Sequence, residues 1–317
     1  MDVKLNVQRY DPEKKTNSAY QQEYELDVPD EYTVLDTLIK VREDLDPTLA
    51  LRCSCRASVC GSCAMRVNGQ GTLACKTKLK DVIKNDGASV GPAGNMPVIK
   101  DLIVDMKPFW NKLRQVEPYL KPEDEDPVTN ERLASNESMV HLTGVMNCIM
   151  CGACVSDCTA MEVNPDFIGP AALAKAYRFV GDPRDGESKE RLKELSKENG
   201  IWDCTRCFYC VEVCPKEVAP MEWIMELRDK AMEAGFTNNY GARHTLAFVD
   251  SIKNTGHLNE TLLPIKTWGF FNLPKLIAFL PVALRAILRG KTPPLIHKKI
   301  KGYKKIKRVY ERLESEK

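Results

Sequence analysis

Apolar and polar side chains alternate strictly in two stretches near the amino terminus. Val3, Leu5 and Val7 are interleaved with Lys4, Asn6 and Gln8, and Tyr24, Leu26 and Val28 with Glu23, Glu25 and Asp27. A period of two puts each apolar set on one face of a pleated strand, so both stretches are expected as half-buried strands of a hairpin. The period then lengthens. Val34, Leu35, Leu38, Ile39 and Leu45 keep to one side of a helix that Thr33 and Asp36 open as a capping box and Pro47 stops. Met65 and Val67 alternate with Arg66 and Asn68 before Asn68-Gly69, a tight-turn dipeptide. From Asp105 onward the alternation ceases. Tyr119 to Asn130, with Lys121-Pro122 and the acid run Glu123 to Asp126, reads as a solvated linker or surface loop. Ile168 to Phe179, with Gly169-Pro170 before Ala171, Ala172, Leu173, Ala176 and Tyr177, is compatible with a buried helix, whereas residues 186–199 are charged and expected to face water.

Strand, strand, helix is how a β-grasp domain begins, and a helical region follows it, so the expected class is α+β. At 317 residues the chain has room for more than one core, and a net charge of +2 with 28% charged residues gives no sign of a nucleic-acid partner. The amino terminus MDVKLNVQRYDPEKK carries no apolar signal region, so a reducing cytoplasm is expected; export on a partner's signal would leave no mark here.

Thirteen cysteines change the picture. Most lie two to four residues apart, which suits metal ligation better than a secreted disulfide framework. Ile201 to Pro215, IWDCTRCFYCVEVCP, contains Cys204, Cys207, Cys210 and Cys214 as C-x2-C-x2-C-x3-C-P, the bacterial ferredoxin run whose fourth thiolate serves another cluster. Such a run demands a second. It lies at Cys148, Cys151, Cys154 and Cys158, with Thr159 in place of the proline. Paired reciprocally, the runs give two 4Fe-4S ligand sets: Cys148, Cys151 and Cys154 with Cys214, and Cys204, Cys207 and Cys210 with Cys158. Upstream, Cys55, Cys60 and Cys63 form C-x4-C-x2-C and eleven residues intervene before Cys75, the plant-type pattern for 2Fe-2S. Gly61 and Ser62 let backbone come close to sulfide and donate N–H groups to it. A zinc site would usually come as two C-x2-C pairs, which this stretch lacks. Cys53 is left over. Three parts follow: a plant-type 2Fe-2S ferredoxin domain at 1–105, an α-helical two-cluster domain at 106–235 and a C-terminal helical extension at 236–317.

These cysteines, with PVIKDLIVDM (Pro97 to Met106), NPDFIGPAAL (Asn164 to Leu173) and CPKEVAP (Cys214 to Pro220), resemble the iron-sulfur subunit of the succinate dehydrogenase and fumarate reductase family over roughly residues 1–235. The resemblance implies an electron relay with no bond chemistry of its own, between a flavoprotein subunit and a quinone-linked membrane subunit. It also implies that Cys55, Cys60, Cys63 and Cys75 hold the cluster nearest the flavin. No G-x-G-x-x-G or Walker run is present, so FAD is expected on the partner alone. Two departures stand out. Most relatives have a noncysteine residue where Cys207 stands and a 3Fe-4S cluster there, so this chain is expected to hold 4Fe-4S. The tryptophan pair that succinate dehydrogenases place after the first run is replaced by Thr159-Ala160-Met161-Glu162-Val163-Asn164, which puts a quinone pocket of the usual kind in doubt.

Beyond Phe236, Asn238 to Thr261 resembles the carboxy-terminal part of small heterodisulfide-reductase-type ferredoxin subunits, so the membrane partner is expected to be of that kind, and a thiol-linked complex is the alternative function. Leu262 to Leu288 is apolar but interrupted by Lys266, Lys275, Arg285 and three prolines, Pro264, Pro274 and Pro281, which argues against a spanning helix. Ten Lys or Arg and no acid lie between Arg285 and Tyr310. Apolar wedge and basic tail describe an interfacial or partner-docking segment, or else a helical hairpin packed on the body. The expected location is a peripheral membrane complex on the cytoplasmic face, with the periplasmic face as alternative. Of the histidines, His141, near Cys148, is expected to be structural; His244, His257 and His297 suggest no site. Arg206 and Lys216 flank ligands and would raise a cluster's potential.

Overall fold

A computed structural model describes residues 1–14, 18–85, 87–123, 131–269, 271–294 and 298–316. The latter part of the acid run, Phe270 and His297 lie outside the described residues. The chain forms two compact units, Met1–Lys230 and Ala231–Lys317.

In the first unit the alternating stretches are strands β1 (Asp2–Tyr10) and β2 (Ala19–Asp27), paired antiparallel from Asp2 opposite Asp27 to Tyr10 opposite Ala19. Strands β3 (Ala64–Val67) and β4 (Gln70–Leu73) form the hairpin around Asn68-Gly69, where both residues have positive φ. Strand β5 (Gly87–Gly91) runs parallel to β1 and antiparallel to β3, giving the order β2-β1-β5-β3-β4. The helix Val34–Lys40 is opened by Thr33 in a complete capping box with Asp36. It buries Val34, Leu35, Leu38 and Ile39 in one core with Leu5, Val7, Leu26 and Leu73 from the sheet. Each fully buried aliphatic there stabilises by about 1.5–3 kcal/mol, and Leu38→Ala would cost about 2–5 kcal/mol.

Leu45 departs from the helical pattern and is 53% exposed. The helix widens to a π turn over Val41–Leu45, closed where the Asp46 N–H donates to the Val41 carbonyl at 2.8 Å. The wider turn rotates Leu45 outward and Val41 inward. The inward series of β1, residues 3, 5 and 7, continues to Arg9, which is 3% exposed. Its guanidinium donates to Asp101 at 2.9 Å, Asp46 at 2.5 Å, Thr48 at 3.0 Å and the Tyr24 hydroxyl at 2.6 Å. Asp101, also buried, further accepts from the Tyr10 and Ala50 N–H groups. This pair ties the PVIKDLIVDM segment to the first strand, and its charge is tolerated inside because every polar atom is satisfied.

The rest of the first unit is helical. Pro170–Val180 is buried along nearly its whole length. Ser188–Leu195 faces water less than its charge suggests, because Arg191, Leu192 and Leu195 are buried. Arg191 pairs with Asp185 and donates to the carbonyls of Val116, Glu117 and Tyr119, fixing the start of the expected linker to this helix. Lys121 in that stretch pairs with Glu117 and Glu187. His141 is structural: its Nε2 lies 3.0 Å from the Gly181 carbonyl and its ring meets Tyr177 edge-on.

The second unit consists of helices Tyr240–Thr255, Leu262–Trp268, Leu273–Leu288 and Tyr303–Ser315. Asn239 caps the first, and Gly256 ends it at φ +77 beneath Ile300. Among the described residues no helix is long and apolar enough to cross a membrane.

Candidate metal centres

The segment Cys55 to Cys60 wraps its own backbone around sulfur. The N–H groups of Ala57, Val59 and Cys60 donate to Cys55 Sγ at 3.3–3.4 Å, and Ser58 N–H donates to Cys75 Sγ at 3.3 Å. Arg56 and Ser58 take positive φ to turn these groups inward, an anion-binding nest. Cys63 precedes β3 and Cys75 follows β4, so the short hairpin returns the fourth thiol to the loop. Cys60 is pulled down to about 6 by hydrogen bonding from the Ser62 side chain, whereas burial pushes Cys63 up to about 12. Ser58 Oγ is buried with no partner among the described residues, as a donor facing bound sulfide would be.

The two cysteine runs are built alike. Met150 and Gly152 in the first take positive φ, and so do Arg206 and Phe208 at the matching places of the second. A one-turn helix follows each, Ala153–Ser156 carrying Cys154 and Tyr209–Glu212 carrying Cys210. Cys148, Cys151, Cys154 and Cys214 line one pocket together with Lys216. Cys158 lies with Cys204 and Cys207, and Cys210 interacts with all three. The thiols thus gather in the three groups that their spacing pairs, and Cys53 stays outside them, packed against the core of the sheet. Among the described residues no three His, Cys, Asp or Glu side chains close on a single ion.

Burial raises Cys151 to about 11 and Cys210 to about 12 and holds Cys154 well above the ordinary thiol range. Loading with iron therefore has to expel protons from buried thiols. At Cys207 burial works upward too, but hydrogen bonds, among them one from the Thr159 hydroxyl at 3.5 Å, outweigh it and draw the thiol down; Val218 N–H donates to Cys214 Sγ at 3.2 Å.

Several residues at these centres have no sequence signature. Asp157, beside Cys158, accepts from Arg66 Nε at 3.0 Å, from Gly71 N–H at 2.6 Å and from the Ser156 hydroxyl at 2.9 Å, tying the β3–β4 hairpin to the first run. Lys76, next to Cys75, donates to the Pro215 carbonyl beside Cys214. Gly61 abuts Cys151, where a Cβ on the glycine would sit 2.8 Å from the Cys151 Cβ. The loop carrying Cys55 to Cys63 and the residue after Cys75 thus touch both ends of the Cys148 group. Arg228, 3% exposed, donates to the carbonyls of Ile201 and Cys204 and lies over the Trp202 ring. Buried cations near sulfur are a further lever on potential.

Residues 4–111 match the family described as 2Fe-2S iron-sulfur cluster binding domain, and residues 144–218 match 4Fe-4S dicluster domain. The fumarate reductase iron-sulfur subunit of Escherichia coli O6:H1 is 39% identical over 227 residues, 71% of this chain and 91% of the relative. The chain belongs to the succinate dehydrogenase and fumarate reductase iron-sulfur subunit family. Another member, the succinate dehydrogenase iron-sulfur subunit of Coxiella burnetii, is 39% identical over 72% of this chain and 97% of its own length. The 8-methylmenaquinol:fumarate reductase iron-sulfur subunit of Wolinella succinogenes is 32% identical over 301 residues, 92% of each chain, so the likeness reaches into the second unit. Among solved structures, a chain of the Mycobacterium smegmatis Sdh1 complex in the apo form aligns with TM-score 0.67 and 26% identity over 74% of this chain and 97% of that one. As a family member the chain carries 2Fe-2S and 4Fe-4S cofactors in an oxidoreductase complex.

Proposed function

We propose that this chain relays electrons in a succinate:quinone or quinol:fumarate oxidoreductase, between a flavoprotein subunit carrying FAD and a membrane-associated subunit linked to quinone. The observation that carries the reading is the gathering of twelve thiols into three groups, in a chain that matches 91% of a fumarate reductase subunit's length. In this reading Cys55, Cys60, Cys63 and Cys75 hold 2Fe-2S; Cys148, Cys151, Cys154 and Cys214 hold one 4Fe-4S; and Cys158, Cys204, Cys207 and Cys210 hold the other. When bound, the clusters supply one-electron oxidation and reduction. The chain's own residues set the distances and the potentials: Gly61 and Lys76 hold the first loop against Cys151 and Pro215, backbone N–H groups and Thr159 donate to sulfur, and Arg228 places a buried cation beside Cys204.

The division at about 105 and 235 follows from the same assignment, one part for each cofactor class and an extension. The resemblance of Asn238 to Thr261 to small heterodisulfide-reductase-type subunits is the ground for a membrane partner of that kind, and the likeness to the Wolinella subunit shows only that this extension is shared with another relative. The complex is placed on the cytoplasmic face, as the thiol-rich composition favours. Anaerobic purification of the native complex tests the reading. About ten iron and ten acid-labile sulfide per chain are expected from one 2Fe-2S and two 4Fe-4S clusters, with a flavoprotein copurifying and succinate or fumarate turnover. Bound zinc, or clearly less iron in a fully loaded sample, would sink the ligand assignment. A thiol-dependent partner without succinate or fumarate turnover would replace it with the thiol-linked alternative.

A further inference from the structure

The helix Leu273–Leu288 displays its large aliphatic side chains to solvent. Leu273, Ile277, Leu280, Leu284, Ile287 and Leu288 recur at three- and four-residue steps, so they share one stripe, and their exposure runs from 51% at Leu284 to 84% at Leu288. The flank beside it is the one that packs: Phe279 meets Trp268 edge-on at 5.5 Å, and Leu276, Ala283 and Ala286 are less exposed than the stripe. A stripe of this size on water is unfavourable by the hydrophobic effect, so something covers it.

Length and charge select what does. Sixteen residues make a helix about 24 Å long, short of a hydrocarbon core of about 30 Å, and Lys275, Arg285 and Pro281 interrupt it. It therefore lies along an interface rather than across one. Ten Lys or Arg with no acid fall between Arg285 and Tyr310. In the helix Tyr303–Ser315 Lys304, Lys305 and Arg308 are exposed, whereas Lys307 pairs with Glu311 and Lys253 holds the far end of that helix through Glu314. A buried protein interface would have to neutralise this many cations with matching acids; an anionic lipid surface does so without specific partners.

We infer that the second unit binds anionic membranes directly, with the Leu273–Leu288 stripe seated at the headgroup boundary and the basic tail on the phosphates. The chain thus carries a lipid attachment of its own beside any held by partner subunits, and the inference does not depend on the relay reading.

The test uses full-length, cluster-loaded protein in cosedimentation with vesicles of phosphatidylcholine alone or mixed with phosphatidylglycerol. Binding is expected to the mixed vesicles, weakened by salt, and little to phosphatidylcholine alone. The double variant Ile277→Glu, Leu284→Glu should lower binding at least about tenfold, and Arg289→Glu with Lys291→Glu should lower it in the mixed vesicles. Ala278→Glu, exposed and away from the stripe, adds one negative charge, as each single stripe substitution does, and should bind within about threefold of wild type. Cluster absorbance, read on every sample, reports separately on the relay centres. No binding by the wild type, or a stripe variant that binds as the wild type does, would overturn the inference. So would stripe variants that keep vesicle binding but lose a copurifying membrane subunit, since a protein would then be what covers the stripe.

Discussion

Gly61→Ala tests whether the approach of the first cysteine loop to Cys151 is built into the backbone. Gly61 sits at φ +72, and an added Cβ would lie 2.8 Å from Cys151 Cβ and 2.9 Å from Cys151 Cα. Neither neighbour is the end of a flexible side chain, so one backbone has to move. The left-handed conformation costs an L-residue about 1–2 kcal/mol, and overpacking adds about 1–3 kcal/mol. The total is about 2–5 kcal/mol, or an apparent melting temperature lower by about 4–20 °C at 2–4 °C per kcal/mol. Gly69→Ala is the matched control. It has φ +82 and nothing within 4 Å of the new Cβ, so it carries the conformational cost alone, about 2–8 °C. Melting of the two variants and wild type, followed by circular dichroism at one scan rate, isolates the contact. If Gly61→Ala melts no lower than Gly69→Ala, the close approach is not part of the folded protein and the direct path from that loop to Cys151 loses its support.

Four further outcomes are expected. Cys207→Val removes one thiol of the Cys158 group and should convert a 4Fe-4S cluster, silent in electron paramagnetic resonance when oxidised, to a 3Fe-4S signal at higher potential; a strong 3Fe-4S signal already present in intact wild type would make Cys207 a small packing residue only. Asp157→Ala leaves the Gly71 N–H and Arg66 without their acceptor and should cost about 2–4 kcal/mol with cluster content retained; calorimetry together with iron analysis separates this from a loss of clusters. Arg228→Leu should lower the potential of the cluster beside Cys204 and destabilise by about 3 kcal/mol, because two carbonyls lose a charged donor; an unchanged potential in redox titration refutes the electrostatic part. Burial works upward on the Asp46 carboxyl, but hydrogen bonds from Thr48, Tyr24 and Arg9 outweigh it and hold it well below the usual carboxylate range. Its stabilising contribution is present above the unfolded value of about 3.9 and is lost as pH falls toward the folded one, so Asp46→Asn should flatten the loss of stability below about pH 4, and equal slopes in urea titrations across pH would remove Asp46 as its source.

Local order determined much of this protein. Alternation at residues 3–7 and 24–28, the Thr33–Asp36 box and the Asn68-Gly69 turn each specify their own element, because a period of two or a cap depends only on residues a few positions away. The cysteine spacings, for the same reason, marked each run, whereas the meeting of Cys214 with Cys148, Cys151 and Cys154 is a contact made only in the folded chain. Tertiary structure decided the rest. Arg9 continues an inward-facing series and is buried only because Asp101, 92 residues away, meets it. Leu45 fits the helical period and still faces water, since a π turn shifts the register. Gly61 and Asp157 look like an ordinary loop glycine and a surface acid until Cys151 and Gly71 are brought against them, 90 and 86 residues off in sequence. Phe208 occupies a left-handed position that Gly152 fills in the matching run, and nothing near it in the chain announces this. In each case the deciding contact is long-range, and a pattern read over a few neighbours carries the face of an element but not the identity of what arrives to cover it.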